Sequence, residues 1–254
     1  MNDTTEYPSN EQICCSRRSV LKTAFGVTIA GISGFVGVGT PGISYAAALT
    51  KEARDKLTPD QVIAGLKEGN IRFRTGKMQK HNYLAQKKAS VAGQYPSAVI
   101  LSCIDSRAPA EIILDVGIGE TFNARIAGNI ANNDLIGSLE YACAAVGAKV
   151  VIVMGHTACG AIKGAIDNVE LGSLTGLLDK IKPAISATTY SGERTSKNDG
   201  FVDAVAKTNV QQTINEIRKG SEILSSLEKK GNLKIVGAMY HLKGGKVEFE
   251  DSAI

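Results

Sequence analysis

The chain has 254 residues, of which 43% are hydrophobic and 21% charged, an ordinary composition that suffices for one α/β domain with its own core. Its formal net charge of +4 is modest and no long basic run appears, so nucleic-acid binding has little electrostatic support. The absence of Trp and the aromatic content of 5% also argue against a surface that stacks bases.

The N-terminal segment has the pattern of a bacterial export signal. Arg17-Arg18 resembles the twin-arginine signature, and residues 23–43 form an uncharged, largely apolar stretch that ends before small residues suited to cleavage. Such a stretch can also span a bilayer as an uncleaved anchor, although six glycines and Pro41 dilute its hydrophobicity. We predict a cleaved signal peptide over 1–46, handled by the twin-arginine export machinery, and a periplasmic or otherwise exported domain over 47–254.

Helical patterns precede the first predicted strand. Residues 47–57 are typical of a linker or a peripheral helix. Thr58 and Pro59 then have the types expected of a helix cap and a first helical position, and this helix is predicted to end near Gly76. The polar segment 82–94 has weak helical character.

Short apolar runs rich in β-branched residues predict a mainly parallel sheet. The predicted strands cover residues 97–103, 121–126, 149–154 and 233–240, with a short antiparallel return at 247–249. Helical spacing follows at 134–146, 161–166, 174–181 and 201–219. Strands alternating with helices indicate βαβ units. We therefore predict an α/β fold in which four parallel strands and one short C-terminal antiparallel strand carry helices on both faces.

Two short motifs bring metal-ligand residue types to the ends of two predicted strands. Cys103-Ile-Asp105-Ser-Arg107 follows the first strand, and His156-Thr-Ala-Cys159 follows the third. Because sites in open α/β sheets form beyond the carboxyl ends of the strands, the motifs are expected to converge. Thiol, imidazole and carboxylate groups in this arrangement suit a tetrahedral zinc site. The predicted metal ligands are Cys103, Asp105, His156 and Cys159.

Simpler interpretations of the same residues remain open at this point. Cys103 or His156 alone can be an ordinary core residue, and Cys103 can form a disulfide with Cys159 in an oxidising compartment. The carboxylate and the arginine of the first motif can be a plain ion pair. Cys143 lies on an apolar helix face and is predicted to be a core residue, whereas His81 lies in a polar segment and is predicted to be exposed.

The motifs and their surroundings resemble those of β-class carbonic anhydrases. The resemblance extends from about Thr58 to the C terminus, and its most specific parts are residues 102–111, 119–129 and 155–161. It implies a zinc-dependent lyase, with one zinc ion per subunit, that reversibly hydrates CO2 to bicarbonate and a proton by means of zinc-bound hydroxide. It further implies a homodimer or homotetramer.

The resemblance also assigns a role to each motif residue. Zinc is held by Cys103, His156 and Cys159, and in some members Asp105 takes the fourth position in an inactive form. In the active form, Asp105 accepts a hydrogen bond from the hydroxide, while Arg107 pairs with Asp105 and keeps it ionised and off the metal. Asp105 and Arg107 are therefore the predicted catalytic residues.

Two rival functions use the same scaffold or the same ligands. Hydrolysis of carbon disulfide or carbonyl sulfide needs an identical zinc set, whereas a non-catalytic zinc-binding protein has no use for the pair of Asp105 and Arg107. Arg125 matches an arginine of a regulatory bicarbonate pocket in some members, but the tryptophan of that pocket is replaced by Ile100. Strong inhibition by bicarbonate is therefore not expected.

Overall fold

The structure, a computed structural model, describes residues 49–250, so the predicted signal peptide lies outside the described part of the chain. The strands are β1 (Ala98–Ser102), β2 (Thr121–Arg125), β3 (Val150–His156), β4 (Lys234–Tyr240) and β5 (Val247–Phe249). The α-helices are α1 (Lys51–Asp55), α2 (Pro59–Arg74), α3 (Tyr83–Ala89), α4 (Ala110–Ile113), α5 (Asn133–Glu140), α6 (Gly160–Ile166), α7 (Gly172–Asp179), α8 (Lys182–Ala187), α9 (Asp199–Gly220) and α10 (Glu222–Lys229). A 3-10 helix covers Ala127–Asn129, and a π-helix covers Tyr141–Val146. Among the described residues, no helix has both the length and the apolar character needed to cross a membrane.

The five strands form one sheet in the order β2-β1-β3-β4-β5. The first four strands pair in parallel, and β5 pairs antiparallel with β4, which confirms the predicted sheet. Every residue of β1 and β3 is buried, because these central strands are covered on both faces. β3 extends two residues beyond its predicted end and thereby includes His156.

Successive residues of the central strands face two separate cores. On one face, Val99 and Leu101 of β1 pack in a cluster with buried residues of α5, α6 and α9. On the other face, Ala98 and Ile100 pack in a cluster with buried residues of α2 and α4. This alternation follows from the two-residue period of a strand, and it places helices on both faces as predicted.

Helix α9 lies unusually close to β3. A Cβ atom at Gly155 would come within 2.8 Å of both Val210 Cγ2 on α9 and Met239 Sδ on β4. Glycine therefore permits a close approach between the helix and the end of the strand that carries His156. The helix begins with the Asn198 side chain, which accepts hydrogen bonds from the backbone N–H groups of Gly200 and Phe201.

Several helices differ from their predicted bounds. The helix predicted over 134–146 is α-helical only to Glu140, continues as the π-helix and ends before Gly147, which has a φ of +99°. The helix predicted over 174–181 is α7, and α8 begins separately with Pro183 in its first turn. Helices α4 and α10 were not predicted from the sequence.

The prediction that His81 is exposed is wrong. Its side chain is only 3% exposed, and its Nε2 lies 3.0 Å from Oδ1 of the fully buried Asp115. Asp115 also accepts a hydrogen bond from Arg72 Nε at 2.5 Å and from the backbone N–H of Gln79. A buried carboxylate needs such partners, and this requirement draws His81 inward.

Candidate metal centre

The structure brings three of the predicted ligands together. The ligand atoms of Cys103, His156 and Cys159 all lie within 4.8 Å of one another, and all three residues are buried. The two sulfur atoms are 3.9 Å apart, and the cysteines of the described chain, Cys103, Cys143 and Cys159, are free thiols. The structure therefore contains the predicted three-residue cluster rather than the alternative disulfide.

The ends of two central strands and the start of one helix supply these side chains. Cys103 follows the last residue of β1, and His156 is the last residue of β3. Cys159 is the N-cap residue of α6, which follows directly. Between the two ligands of the second motif, Ala158 adopts a left-handed conformation with a φ of +52°.

The donor atoms of the cluster fit a metal ion. His156 Nδ1 donates to the backbone carbonyl of Thr157 at 2.9 Å, which leaves the lone pair on Nε2. Nε2 is buried and has no hydrogen-bond partner in the described structure, although buried polar atoms are normally paired. A nitrogen in this state beside two thiols forms a soft donor set of the kind that zinc prefers.

The two thiols titrate as a coupled pair. The pKa of Cys103 is lowered, chiefly because Cys159 donates a hydrogen bond to it, and the backbone N–H of Gly128 contributes from 3.4 Å. The pKa of Cys159 is raised because its thiol donates that hydrogen bond and because it is buried. Cys103 is therefore the sulfur that ionises first, and a thiolate is the form that binds metal.

Asp105 lies beside the cluster but is bound to Arg107. Both carboxylate oxygens accept from the guanidinium, at 2.9 Å from Nε and 2.7 Å from Nη2. The hydrogen bond from Arg107 lowers the pKa of Asp105 to about 2. Oδ2 lies 3.7 Å from His156 Nε2, which is outside hydrogen-bond distance. The predicted pair is thus present, with Asp105 beside the three-residue ligand cluster and not within it.

Arg125 fixes the backbone of the first motif, a role that the sequence analysis did not predict. Its Nε donates to the carbonyl of Cys103 at 2.9 Å, and its Nη2 donates to the carbonyl of Asp105 at 2.6 Å. Arg125 is the last residue of β2 and pairs in register with Ser102. That register, once the two strands are paired, is the signal that places its side chain near the motif.

Cys143 is a core residue, as predicted. It is 5% exposed and packs within the apolar cluster beneath α9. Burial raises the pKa of its thiol to about 12, so it remains protonated near neutral pH. It lies outside the metal-ligand cluster and provides an internal control for the chemistry of Cys103 and Cys159.

Comparison with known proteins gives one family from the sequence and a matching fold from solved structures. The family model described as carbonic anhydrase matches residues 98–247. Carbonic anhydrase 2 of Mycobacterium tuberculosis is 34% identical over 194 residues, which cover 73% of this chain and 90% of that protein. The solved β-carbonic anhydrase CcaA has a TM-score of 0.59 at 24% identity, covering 75% of this chain and 95% of that one. A solved tetrameric β-carbonic anhydrase of Sordaria macrospora has a TM-score of 0.55 at 24% identity, covering 62% and 82%. The chain therefore belongs to the carbonic anhydrase family and has the fold of its β-class members.

Proposed function

We propose that the protein reversibly hydrates CO2 to bicarbonate and a proton, with one zinc ion held by Cys103, His156 and Cys159. The observation that carries this proposal is the buried His156 Nε2, which has no hydrogen-bond partner in the described structure and lies beside two free thiols. When bound in such a site, zinc lowers the pKa of a coordinated water to about 7 and so supplies hydroxide near neutral pH.

The chain's own contribution to the reaction is orientation by Asp105. Because Arg107 holds its pKa near 2, the carboxylate remains ionised and acts only as a hydrogen-bond acceptor. It can therefore accept a hydrogen bond from the O–H of the attacking oxygen and direct a lone pair of that oxygen at the carbon of CO2. Addition of hydroxide to CO2 gives bicarbonate, and the proton released from water passes to solvent.

The competing functions are less well supported. The relatives reported above are named carbonic anhydrases, so hydrolysis of carbon disulfide or carbonyl sulfide is not favoured. A closed structural zinc site gains nothing from a carboxylate that is held beside the ligands by an arginine. The bidentate ion pair between Arg107 and Asp105 therefore favours catalysis over a purely structural or sensing role.

The sharpest test is the substitution Asp105→Asn. We expect the variant to keep its zinc while kcat/KM for CO2 hydration falls about 100-fold, the typical cost of misplacing a reacting group by about 1 Å. Asp199→Asn is the matched control, because Asp199 is exposed and pairs with Lys163 on the surface. Stopped-flow hydration assays and zinc analysis on the same samples measure both quantities. Full activity of Asp105→Asn would contradict the role assigned here.

Assembly and location complete the proposal. We infer a homodimer or homotetramer, supported by the tetrameric state named for the Sordaria macrospora relative and by exposed apolar side chains such as Ile104 and Tyr141. Light scattering on the purified protein tests this assembly.

We also propose export through the twin-arginine route, which rests on Arg17-Arg18 and the apolar stretch that follows. That route carries folded proteins, so the metal can be bound before the thiols meet oxidants.

A further inference from the structure

Helix α9 contacts both backbone segments that surround the two sulfur ligands. Asp203 Oδ1 accepts a hydrogen bond from the backbone N–H of Ala158 at 2.8 Å. Six residues further along, Asn209 Nδ2 donates to the backbone carbonyl of Gly128 at 2.7 Å. The same helix thus reaches the second motif and the 3-10 helix whose Gly128 N–H contacts Cys103 Sγ.

The contact of Asp203 stabilises a strained residue. Ala158 has a φ of +52°, a left-handed conformation that is strained for a non-glycine residue. Ala158 separates Thr157 from Cys159, so its conformation decides where Cys159 lies relative to His156. A charge-assisted hydrogen bond to its N–H offsets the strain and selects this backbone geometry.

Asp203 is itself attached to a well-fixed part of the fold. Its neighbours Phe201, Val202 and Val205 on α9 are fully buried. The close approach permitted by Gly155 also brings Val210 of the same helix against the end of β3. The helix therefore has little freedom to shift along the sheet, and the position of the Asp203 carboxylate is correspondingly defined.

Thr157, the residue before Ala158, is held by hydrogen bonds to the end of β4 and to the segment that follows it. Its backbone N–H donates to the Tyr240 carbonyl at 3.0 Å, and its hydroxyl accepts from the backbone N–H of Leu242 at 3.0 Å. The end of β4 thus holds the residue next to His156. Asp203 is the side chain that holds the next residue, immediately before Cys159.

We propose that Asp203 is a positioning residue of the metal centre, which holds Ala158 in its left-handed conformation and thereby sets Cys159 for metal binding. The proposal rests on the proposed zinc site and extends it beyond the ligands. Asn209 supports the opposite side of the centre in the same way, through Gly128 and its contact with Cys103. Substitution of a residue that orients a metal ligand typically lowers metal affinity about 10- to 100-fold.

The test compares zinc affinity among full-length variants by competition with a chromogenic chelator. Asp203→Ala removes the acceptor, whereas Asp203→Asn retains an oxygen that can accept from Ala158. The double variant Asp203→Ala with Ala158→Gly replaces the strained residue by glycine, which adopts a positive φ without steric cost. Asp199→Ala is the matched control on the same helix, because its exposed carboxylate pairs with Lys163.

We expect Asp203→Ala to weaken zinc binding about 10- to 100-fold. Asp203→Asn should remain within about threefold of the wild type, and the glycine double variant should regain a large part of the loss, because the strain that Asp203 offsets is then absent. The absorption of the Co²⁺-loaded protein should change in Asp203→Ala and return in the double variant. A role in general stability alone predicts no such rescue.

Each remaining outcome has a definite meaning. Equal zinc affinity and equal Co²⁺ spectra in wild type and Asp203→Ala would overturn the inference while leaving the proposed function intact. Failure of the wild type itself to bind zinc would instead overturn the proposed function. If Asp203→Ala does not fold, as judged by circular dichroism, Asp203→Ser takes its place, because the serine hydroxyl is too short to reach the Ala158 N–H.

Discussion

Arg125 holds the backbone of the first motif, and Arg107 holds the side chain of Asp105. Arg125 donates to the carbonyls of Cys103 and Asp105, whereas Arg107 holds the carboxylate of Asp105. Hydrogen bonds with a charged donor are stronger than neutral ones, so the segment is held without any regular secondary structure. The carboxylate to which we assign the catalytic role is therefore oriented before substrate binds, which is the condition for effective orientation of a nucleophile.

A buried carboxyl far from this motif makes stability depend on pH. Glu120 is 6% exposed, and burial raises its pKa above the ordinary value of 4.5. The folded protein then holds this proton more tightly than the unfolded chain does. The contribution of Glu120 to stability is therefore fully present below its unfolded pKa and is lost as pH rises through its folded pKa.

The substitution Glu120→Gln should remove this dependence, because the amide oxygen can still accept from the Gly117 N–H, now 2.8 Å from the carboxylate. We expect the free energy of unfolding of the variant to gain on that of the wild type as pH rises from 4 to 8. Urea unfolding at a series of pH values measures the difference. Glu170→Gln, in an exposed loop, is the control and should show no such trend. A pH-independent difference would exclude Glu120 as the source.

At the scale of elements, the packing of α9 on the end of β3 depends on Gly155. Gly155→Ala would place a Cβ atom within 2.8 Å of Val210 Cγ2, so the helix or the strand must shift. Overpacking of this kind costs about 1–3 kcal/mol. Gly137→Ala is the matched control, since a Cβ there meets no atom within 4 Å and alanine favours the interior of α5 by about 0.5–1 kcal/mol. Chemical unfolding should therefore show opposite signs for the two substitutions.

The elements differ in how far the sequence alone predicts them. The central strands were predicted because burial on both faces leaves continuous apolar runs. The change from α5 to the π-helix was not predicted. The carbonyl of Val146, its last residue, accepts a hydrogen bond from Arg54, 92 residues earlier in the chain, and local helical spacing carries no signal of such a contact.

The same distinction applies to the candidate site. The three clustered ligands were predicted because their motifs follow two strands that lie side by side. Asp203 and Arg125 were not predicted, because neither belongs to a local sequence pattern. Asp203 accepts a hydrogen bond from a backbone N–H 45 residues away, and Arg125 donates to a backbone carbonyl 22 residues away. His81 was misjudged for a similar reason, since its partner Asp115 lies 34 residues further along.

At the scale of the whole molecule, the proposed metal joins the end of β1, the end of β3 and the start of α6. A ligand that binds only the folded state at about 1,000 times its dissociation constant adds about 4 kcal/mol of stability. For a domain of this size, that corresponds to a rise in Tm of roughly 8–16 °C. We expect a strong chelator to lower Tm by this amount and added zinc to restore it, as measured by differential scanning fluorimetry.

Cysteine variants show whether this shift comes from the proposed ligands. Cys103→Ala should abolish the difference in Tm between chelated and zinc-loaded samples. Cys143→Ala should retain that difference, although its buried position lowers Tm in both states. A zinc-dependent shift that survives Cys103→Ala would place the metal elsewhere.

The proposed export and the proposed metal binding are linked by the chemistry of the two cysteine thiols. Before metal binds, Cys103 and Cys159 are free thiols 3.9 Å apart, and such pairs are exposed to oxidation outside the cytoplasm. A twin-arginine route avoids this hazard, because it delivers a folded protein whose metal already occupies the thiolates. We therefore expect the exported protein to contain about one zinc per chain and no disulfide between these cysteines. The substitutions Arg17→Lys and Arg18→Lys should retain the protein in the cytoplasm with its zinc still bound, as measured by cell fractionation and metal analysis. Equal export of the variant, or delivery of a zinc-free disulfide form, would contradict this order of events.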